Sequence, residues 1–374
     1  MTSTITLSSR LLAVVFTIVI IALSGNIHAQ YKFKTEKQIN CTEVKNQANT
    51  GTCWSFATAS FLESELMRMG HRDVDLSEMY IVRNIYQDKA KNYVLRQGKA
   101  NFSQGSLSHD LMRMVGRVGV MPETAYSGML ADEENHNHSE MERGLKGFLD
   151  GIRSGKTLSH KWPTAFSNIL DAYMGTVPNE FAAGGEQHTP TSYAESLGIN
   201  ADNYVSLTSF SHHPFYSSFI LEIPDNYSNG AYYNIPVDEL ISAIDFALLS
   251  GYTVAWDGDV SEKGFSSSQG IAVLPTDPSR EDLFTEPGPE VEVNQDNRQA
   301  LFESYATTDD HLMHLVGISL DQNGNKYYLT KNSWGARGPY EGYLYMSEAY
   351  VKMKTVAIMI HKDAVPTNTA NKLW

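Results

Sequence analysis

Between Cys53 and Met69 the apolar positions Phe56, Ala59, Leu62, Leu66 and Met69 recur every three or four residues, behind the turn Thr50-Gly51-Thr52. This period predicts an amphipathic helix that starts at the thiol and ends near Gly70. Further helices are expected from Leu76-Ser77-Glu78-Met79 through Tyr86, and from Leu107 with Leu111, Met114 and Val115 on one face. The same reading gives helices from about Pro163 to Met174, at an entry Thr189-Pro190-Thr191, and from Pro236 to Ser250 with Gly251 as its stop. Lys89 to Lys99 reads as a solvated basic turn, and Asp277 to Asp296, acidic and carrying three prolines, as an exposed loop. Beyond Tyr252 the pattern changes to short strand-like runs: Tyr252–Trp256, His311–Gly317, Tyr327–Lys331, Gly342–Met346 and Thr355–Ile360.

Helix-first, strand-later order implies an α+β protein. Residues 1–29 stand apart from it. Arg10 precedes the apolar run Leu11–Leu23, and small residues lead to Ala29. That run is short for a bilayer span, so a targeting segment cleaved after Ala29, and hence an exported protein, is expected. The whole chain has 29 basic and 43 acidic side chains, a net charge of −14, and loss of Arg10 with the leader makes it more negative. A surface of that sign repels phosphate backbones and anionic membranes, so nucleic acid and stable membrane association are not expected as partners. With two cysteines, Cys41 and Cys53, and 42% apolar residues, the core and not a disulfide framework has to hold the fold. Cys41 is expected to be free and buried.

Cys53 is the first candidate for chemistry, because a helix N-terminus favours thiolate over thiol. His311 opens one of the strand-like runs and Asn332 closes the next. Gln47, Cys53-Trp54, Asp310-His311 and Asn332-Ser333-Trp334-Gly335, in this order, resemble the papain superfamily of cysteine peptidases. The resemblance implies Cys53 as nucleophile, His311 as base and then acid, Asn332 as the group that orients the imidazole, and Gln47 as an oxyanion-hole donor. Trp334 would shield the Asn332 contact from water. It also implies a fold of two lobes, a helical one and a β-barrel-like one, over residues 30–374, with peptides as substrates. A thiolate–imidazolium pair is the resting state such chemistry suggests.

Three departures narrow the resemblance. Only Gln30–Asn40 precedes the Gln47 segment, leaving no room for an inhibitory prosegment. Thr50 stands where secreted relatives have a structural cysteine. His311 and Asn332 lie well beyond the roughly 130–150 positions after the cysteine usual in papain, so residues 126–235 read as an insertion between 30–125 and 236–374. These features resemble the bleomycin hydrolase and aminopeptidase C branch, and imply an aminopeptidase. In that branch the chain end enters the cleft, which would place Trp374 at the substrate's amino group; subunits there form homo-oligomers. Gly105-Ser106 falls where papain relatives pair with substrate backbone. An open-cleft endopeptidase and a peptide-binding module on the same fold are the alternative readings. No cofactor or metal is expected: His136 and His138 read as surface polarity and His212-His213 as packing, neither with a third ligand at a telling spacing.

Overall fold

The computed structural model describes residues 31–374; the leader expected at residues 1–29 lies outside them. In chain order the elements are β1 Lys34–Gln38, α1 Cys53–Arg68, α2 Glu78–Leu95, α3 Ser108–Val118, α4 Ser139–Arg153 and α5 Trp162–Met174. Then come β2 Phe181–Ala183, β3 Glu186–His188, α6 Pro190–Ser196, β4 Tyr204–Thr208, β5 Ser218–Ile220 and β6 Ala231–Asn234. The last part holds α7 Val237–Leu249, β7 Val254–Gly258, β8 Phe265–Ser266, β9 Ile271–Ala272, α8 Gln295–Glu303, β10 His311–Leu320, β11 Lys326–Lys331 and β12 Tyr343–Ser347. It closes with α9 Glu348–Lys354, β13 Thr355–His361 and α10 Thr367–Leu373.

Helix starts follow local chemistry. Ser77 accepts the Tyr80 amide and so caps α2, and Thr189 with Ser192 forms a capping box over α6, with Pro190 in its first turn. α2 runs on to Leu95, through the stretch expected as a solvated turn. Lys89 faces inward there and is 1% exposed. Its ammonium is bonded to the carbonyls of Ser103, at 3.0 Å, and Gly105, so the helix gains a buried anchor where the sequence shows only charge.

The strands form one open sheet in the order β5-β6-β4-β13-β7-β10-β11-β12-β9-β8, with β1 beside the second half of β10. A barrel-like lobe was expected; the sheet does not close on itself. Nor is the stretch 126–235 separate from it, because β4 pairs with β13 and carries β6 and β5 outward.

Alternation along the strands feeds two cores. Ala255, Leu312, Ala357 and Met359 pack with Trp54, Phe61 and Leu62 of α1 and with the helices around it. Trp256, Met313, Ile358 and Ile360 point the other way, onto Leu240, Ile244 and Leu248 of α7. α1 therefore lies between the sheet and the other helices and is buried on all sides from Cys53 to Leu66, not on one stripe; Met69, expected inward, is exposed. Its buried polar groups find partners: Ser55 Oγ donates to the Glu78 carbonyl at 2.9 Å and Thr58 Oγ1 to that of Trp54 at 2.7 Å. Among the described residues no helix is long and apolar enough to cross a membrane.

Candidate active site

The turn before α1 is closed by reciprocal bonds: Gln47 Nε2 donates to the Thr50 carbonyl at 2.7 Å and Thr50 Oγ1 to the Gln47 carbonyl at 2.8 Å. Thr50 thus ties by hydrogen bonding a turn for which a disulfide is absent. Cys53, the first residue of α1, is 8% exposed. Burial pushes its thiol up to about 12; the backbone N–H of Leu312 opposes this, and the carboxylates of Asp309, Asp225 and Asp257 add to it.

His311 opens β10 opposite Gly258 of β7, and Asn332 follows β11, so two neighbouring strands deliver the pair. His311 Nε2 lies 2.8 Å from Asn332 Oδ1. That oxygen also accepts the Ser333 amide at 2.7 Å, which fixes the orientation of the side-chain amide. Nε2 must therefore carry the proton, and Nδ1 keeps the lone pair a base needs. Burial draws the His311 imidazole down to about 4, against the raising influence of Asn332 and Asp310. The Trp334 ring covers the imidazole, with centroids 4.5 Å apart. Among the described residues no hydrogen bond joins the Cys53 sulfur to His311. Burial disfavours the charged form of both groups, and nearby acids add to this at the sulfur, so the surroundings oppose the resting ion pair expected above.

Gln47 is 5% exposed and belongs to both halves of the site. Its backbone N–H donates to the Ser333 carbonyl at 2.8 Å, and Ser333 Oγ donates to its Oε1 at 2.6 Å. One of its two amide hydrogens is spent on Thr50, which leaves the other free. Ser333 was not singled out in the sequence beyond its place in the motif; the serine between Asn332 and Trp334 was the signal. Behind it, Lys331 Nζ donates to Ser60 Oγ of α1 at 2.8 Å and to Thr42 Oγ1 at 3.0 Å, fixing β11 against the helix that carries the thiol.

Other expected residues lie elsewhere or are otherwise engaged. Asp225, from the 126–235 stretch, lies against Gly105 so closely that a Cβ there would meet its Oδ2 at 1.8 Å. Lys89 holds the Gly105 carbonyl, and Ser106 Oγ donates to Asp110 at 2.9 Å. The Gly105-Ser106 segment is thus roofed and not an open edge for substrate. Trp374 stacks edgewise on Tyr233 at 5.5 Å, on the α7 side of the sheet, away from the thiol. Coiling of Thr367–Leu373 into α10 shortens the reach that an extended tail would have.

The two histidine pairs exchange the roles expected for them. His136 and His138 are buried, 8% and 3% exposed, against Phe56 and Tyr86. His212 and His213 sit at the surface and clamp Glu222, with Nε2 atoms 3.2 and 2.8 Å from its two oxygens. Glu222 is a third group that the sequence spacing did not reveal. Gln299 Oε1 accepts the Ser211 amide, so its Nε2 must donate to His212 Nδ1 at 3.0 Å. His212 Nε2 then carries its proton towards Glu222 and offers no lone pair to a metal ion. Cys41, expected to be buried, is only partly so; its Sγ lies 3.2 Å from the Tyr343 hydroxyl, and neither cysteine is in a disulfide.

Comparison with known proteins agrees with this geometry. A model of the Peptidase C1-like family matches residues 180–373, and one of the papain family cysteine proteases matches 29–144. Aminopeptidase G of Lactobacillus delbrueckii subsp. lactis is 23% identical over 91% of this chain and 87% of its own. Aminopeptidase C of Listeria monocytogenes is 24% identical over 87% and 81%. In fold, the chain is similar to a crystal structure of PepW from Lactobacillus rhamnosis, with a TM-score of 0.72 and 18% identity over 98% of this chain and 92% of that one.

Proposed function

The chain belongs to the Peptidase C1-like family, and on that premise we propose that it is a cysteine aminopeptidase of the bleomycin hydrolase branch, acting on peptides with a free amino end. The observation that carries the site assignment is the bond between His311 Nε2 and Asn332 Oδ1 at 2.8 Å, with Gln47 locked beside it by Ser333. In this reading His311 Nδ1 takes the Cys53 proton as the sulfur adds to the scissile carbonyl, forming the carbon–sulfur bond. The oxygen that becomes negative is met by the Cys53 backbone N–H and the unspent N–H of Gln47 Nε2. The imidazolium returns its proton to the departing amine as the carbon–nitrogen bond breaks. Water, deprotonated by the same ring, then cleaves the thioester and restores the thiol. Since burial disfavours charge on both thiol and imidazole, in this reading proton transfer accompanies attack instead of preceding it.

Relatives named aminopeptidases over more than four-fifths of their length support the preference for a free amine. Export by way of the segment 1–29 belongs to the same proposal, and intact mass of the exported protein checks it. A matched pair of fluorogenic peptides tests the activity. Wild type is expected to cleave the free-amine member at least tenfold faster than its acetylated twin, and Cys53→Ala to cleave neither. Equal cleavage of both would leave an endopeptidase.

A further inference from the structure

Beside the nucleophile, on the side where Gly105 is roofed, the molecule gathers carboxylates it does not neutralise. Asp257, from β7, is 3% exposed, and neither of its oxygens has a partner other than the neighbouring acid. That acid is Asp309, two residues before His311, whose Oδ2 is likewise shut from solvent without a partner. Burial, then the charge of Asp309, push the Asp257 carboxyl well up, which favours one proton held between the two. Asp225 completes the group. Its Oδ1 accepts Asn101 Nδ2 at 3.0 Å, while Oδ2, the atom against Gly105, has no hydrogen-bond donor among the described residues. The nearby cation is Lys89, spent on two backbone carbonyls. Asp110 is already answered by Ser106 and Arg113. The charges of all three acids raise the Cys53 thiol.

Buried carboxyl groups short of donors, as Asp257 and Asp309 are, are costly to keep, and Asp225 Oδ2, which keeps contact with solvent, is open to a ligand that supplies a donor. The missing group is a compact cation with several N–H donors. Access exists, because Asp309 lines a cavity of about 420 Å³ whose other walls include Ile223, Pro224, Phe302 and Thr308. The segment around Asp225 is stapled over the groove by Asn101, which also donates to the Pro224 carbonyl at 3.2 Å, and by Asn92, which donates to that of Tyr227 at 3.2 Å. A polypeptide continuing past Gly105 would meet this roof, whereas a chain that ends there in an amine would not.

We propose that Asp309 and Asp225 receive the α-ammonium group of the substrate's first residue, with Asp257 holding Asp309 in place from below. The inference rests on the aminopeptidase reading and gives it a receptor made of this chain's own side chains. An ammonium bonded to two carboxylates pairs Asp225 Oδ2 with the oxygen that Asp309 turns towards the cavity, its Oδ2 being shut in beside Asp257. An aminopeptidase requires the ammonium to lie one residue from the carbonyl to be attacked. Acetylation removes the charge and adds bulk where the roof leaves no room.

Binding to the Cys53→Ala protein tests the receptor apart from turnover. Calorimetry with leucinamide, argininamide and their acetylated forms is expected to show the free amines bound at least tenfold more tightly. Asp225→Asn and Asp309→Asn should each weaken the free amines roughly 10- to 100-fold, the range for hydrogen bonds to charged groups, and leave the acetylated forms unchanged. In the active enzyme the same changes should raise KM for free-amine peptides with a smaller effect on kcat. Asp225 is only half-buried, so its variant reports even if the deeper Asp309 change disturbs folding, and Asp225→Glu should retain much of the affinity. Three results overturn the proposal: free and acetylated amides bound alike, both weakened equally by the Asn variants, or tight binding governed by the arginine side chain whether or not the α-amine is blocked. Each can be told from failure of the aminopeptidase reading itself, which shows in the substrate preference of the wild type.

Discussion

Loss of water disfavours charge on both Cys53 and His311, and that makes the thiol's reactivity a measurable property of its surroundings. Burial pushes the thiol up to about 12 and draws the imidazole down to about 4, which favours the neutral pair at pH 7. Alkylation by iodoacetamide, an uncharged reagent, should therefore accelerate steadily as pH rises above 7. A resting ion pair would instead give a fast plateau reaching down towards pH 5, and that profile would sink the neutral-pair account. The carboxylates make a second, signed contribution. Asp309 raises the thiol, so Asp309→Asn should lower it and speed alkylation several-fold at pH 8, even though the same variant is expected to bind free-amine substrates less well. A merely damaged site would lose both. The roles of Cys53, His311, Asn332 and Gln47 could be suggested from sequence because each sits in a short local motif. Ser333 lies inside one of those motifs and Asp309 directly before another, but what they touch depends on Gln47 and Asp257, partners distant in sequence.

β10 carries two histidines into the interior, His311 at its mouth and His314 deeper, bonded to Ser60 of α1 at 2.9 Å. Burial holds His314 well below the ordinary imidazole range, with Lys331 adding to the effect; His138, just before α4, is drawn to about 4 by burial and by His136. Unfolded, these rings bind protons below about 6.5; folded, His138 and His311 do so only near 4, and His314 later still. The unfolded state thus takes up more protons in this window, and stability present above pH 6.5 is lost as pH falls through it, by up to a few kcal/mol per ring. The carboxyls of Glu78, Glu123 and Asp309, pushed up by burial to about 8, 7 and 7, contribute with the opposite sign over the same window, so the imidazole share is read by difference: between pH 6.5 and 4 wild type is expected to lose more Tm than His138→Gln. Equal losses would mean the His138 ring is not buried uncharged. Such elements also mark where sequence reading stops. The starts of α1, α6 and α7 were legible because turn residues, prolines and apolar period are local signals. The inward turn of Lys89, the burial of His136 and His138 and the pairing of β4 with β13 were not, since each is decided by a partner brought in by the fold.

At the scale of the molecule, the sheet divides the chemistry from the chain's last helix. The thiol, the imidazole and the three acids lie on or at the edge of the face that packs against α1, while α10 is fastened to the opposite face. Lys372 Nζ donates to Glu239 of α7 at 2.7 Å and to the Tyr216 hydroxyl at 3.0 Å. Thr369 Oγ1 takes the other Glu239 oxygen at 2.7 Å, and Leu373 packs into the α7-side core. To bring Trp374 to Cys53, α10 would have to unwind, break these bonds and cross the plane of the sheet. Exclusion of longer chains must then come from the roof at Asp225, supplied by the same 126–235 stretch that adds β4 to β6 to the sheet edge. Removal of residues 367–374 is accordingly expected to lower stability by about 1–3 kcal/mol, through loss of the Glu239 contacts and the Leu373 packing. It should leave the ratio of kcat/KM for free-amine over acetylated substrate within about twofold of wild type. A truncated enzyme that gains activity on acetylated peptides while keeping Asp225 and Asp309 would move amine recognition back to the tail and require the face-to-face separation described here to be broken in the working enzyme.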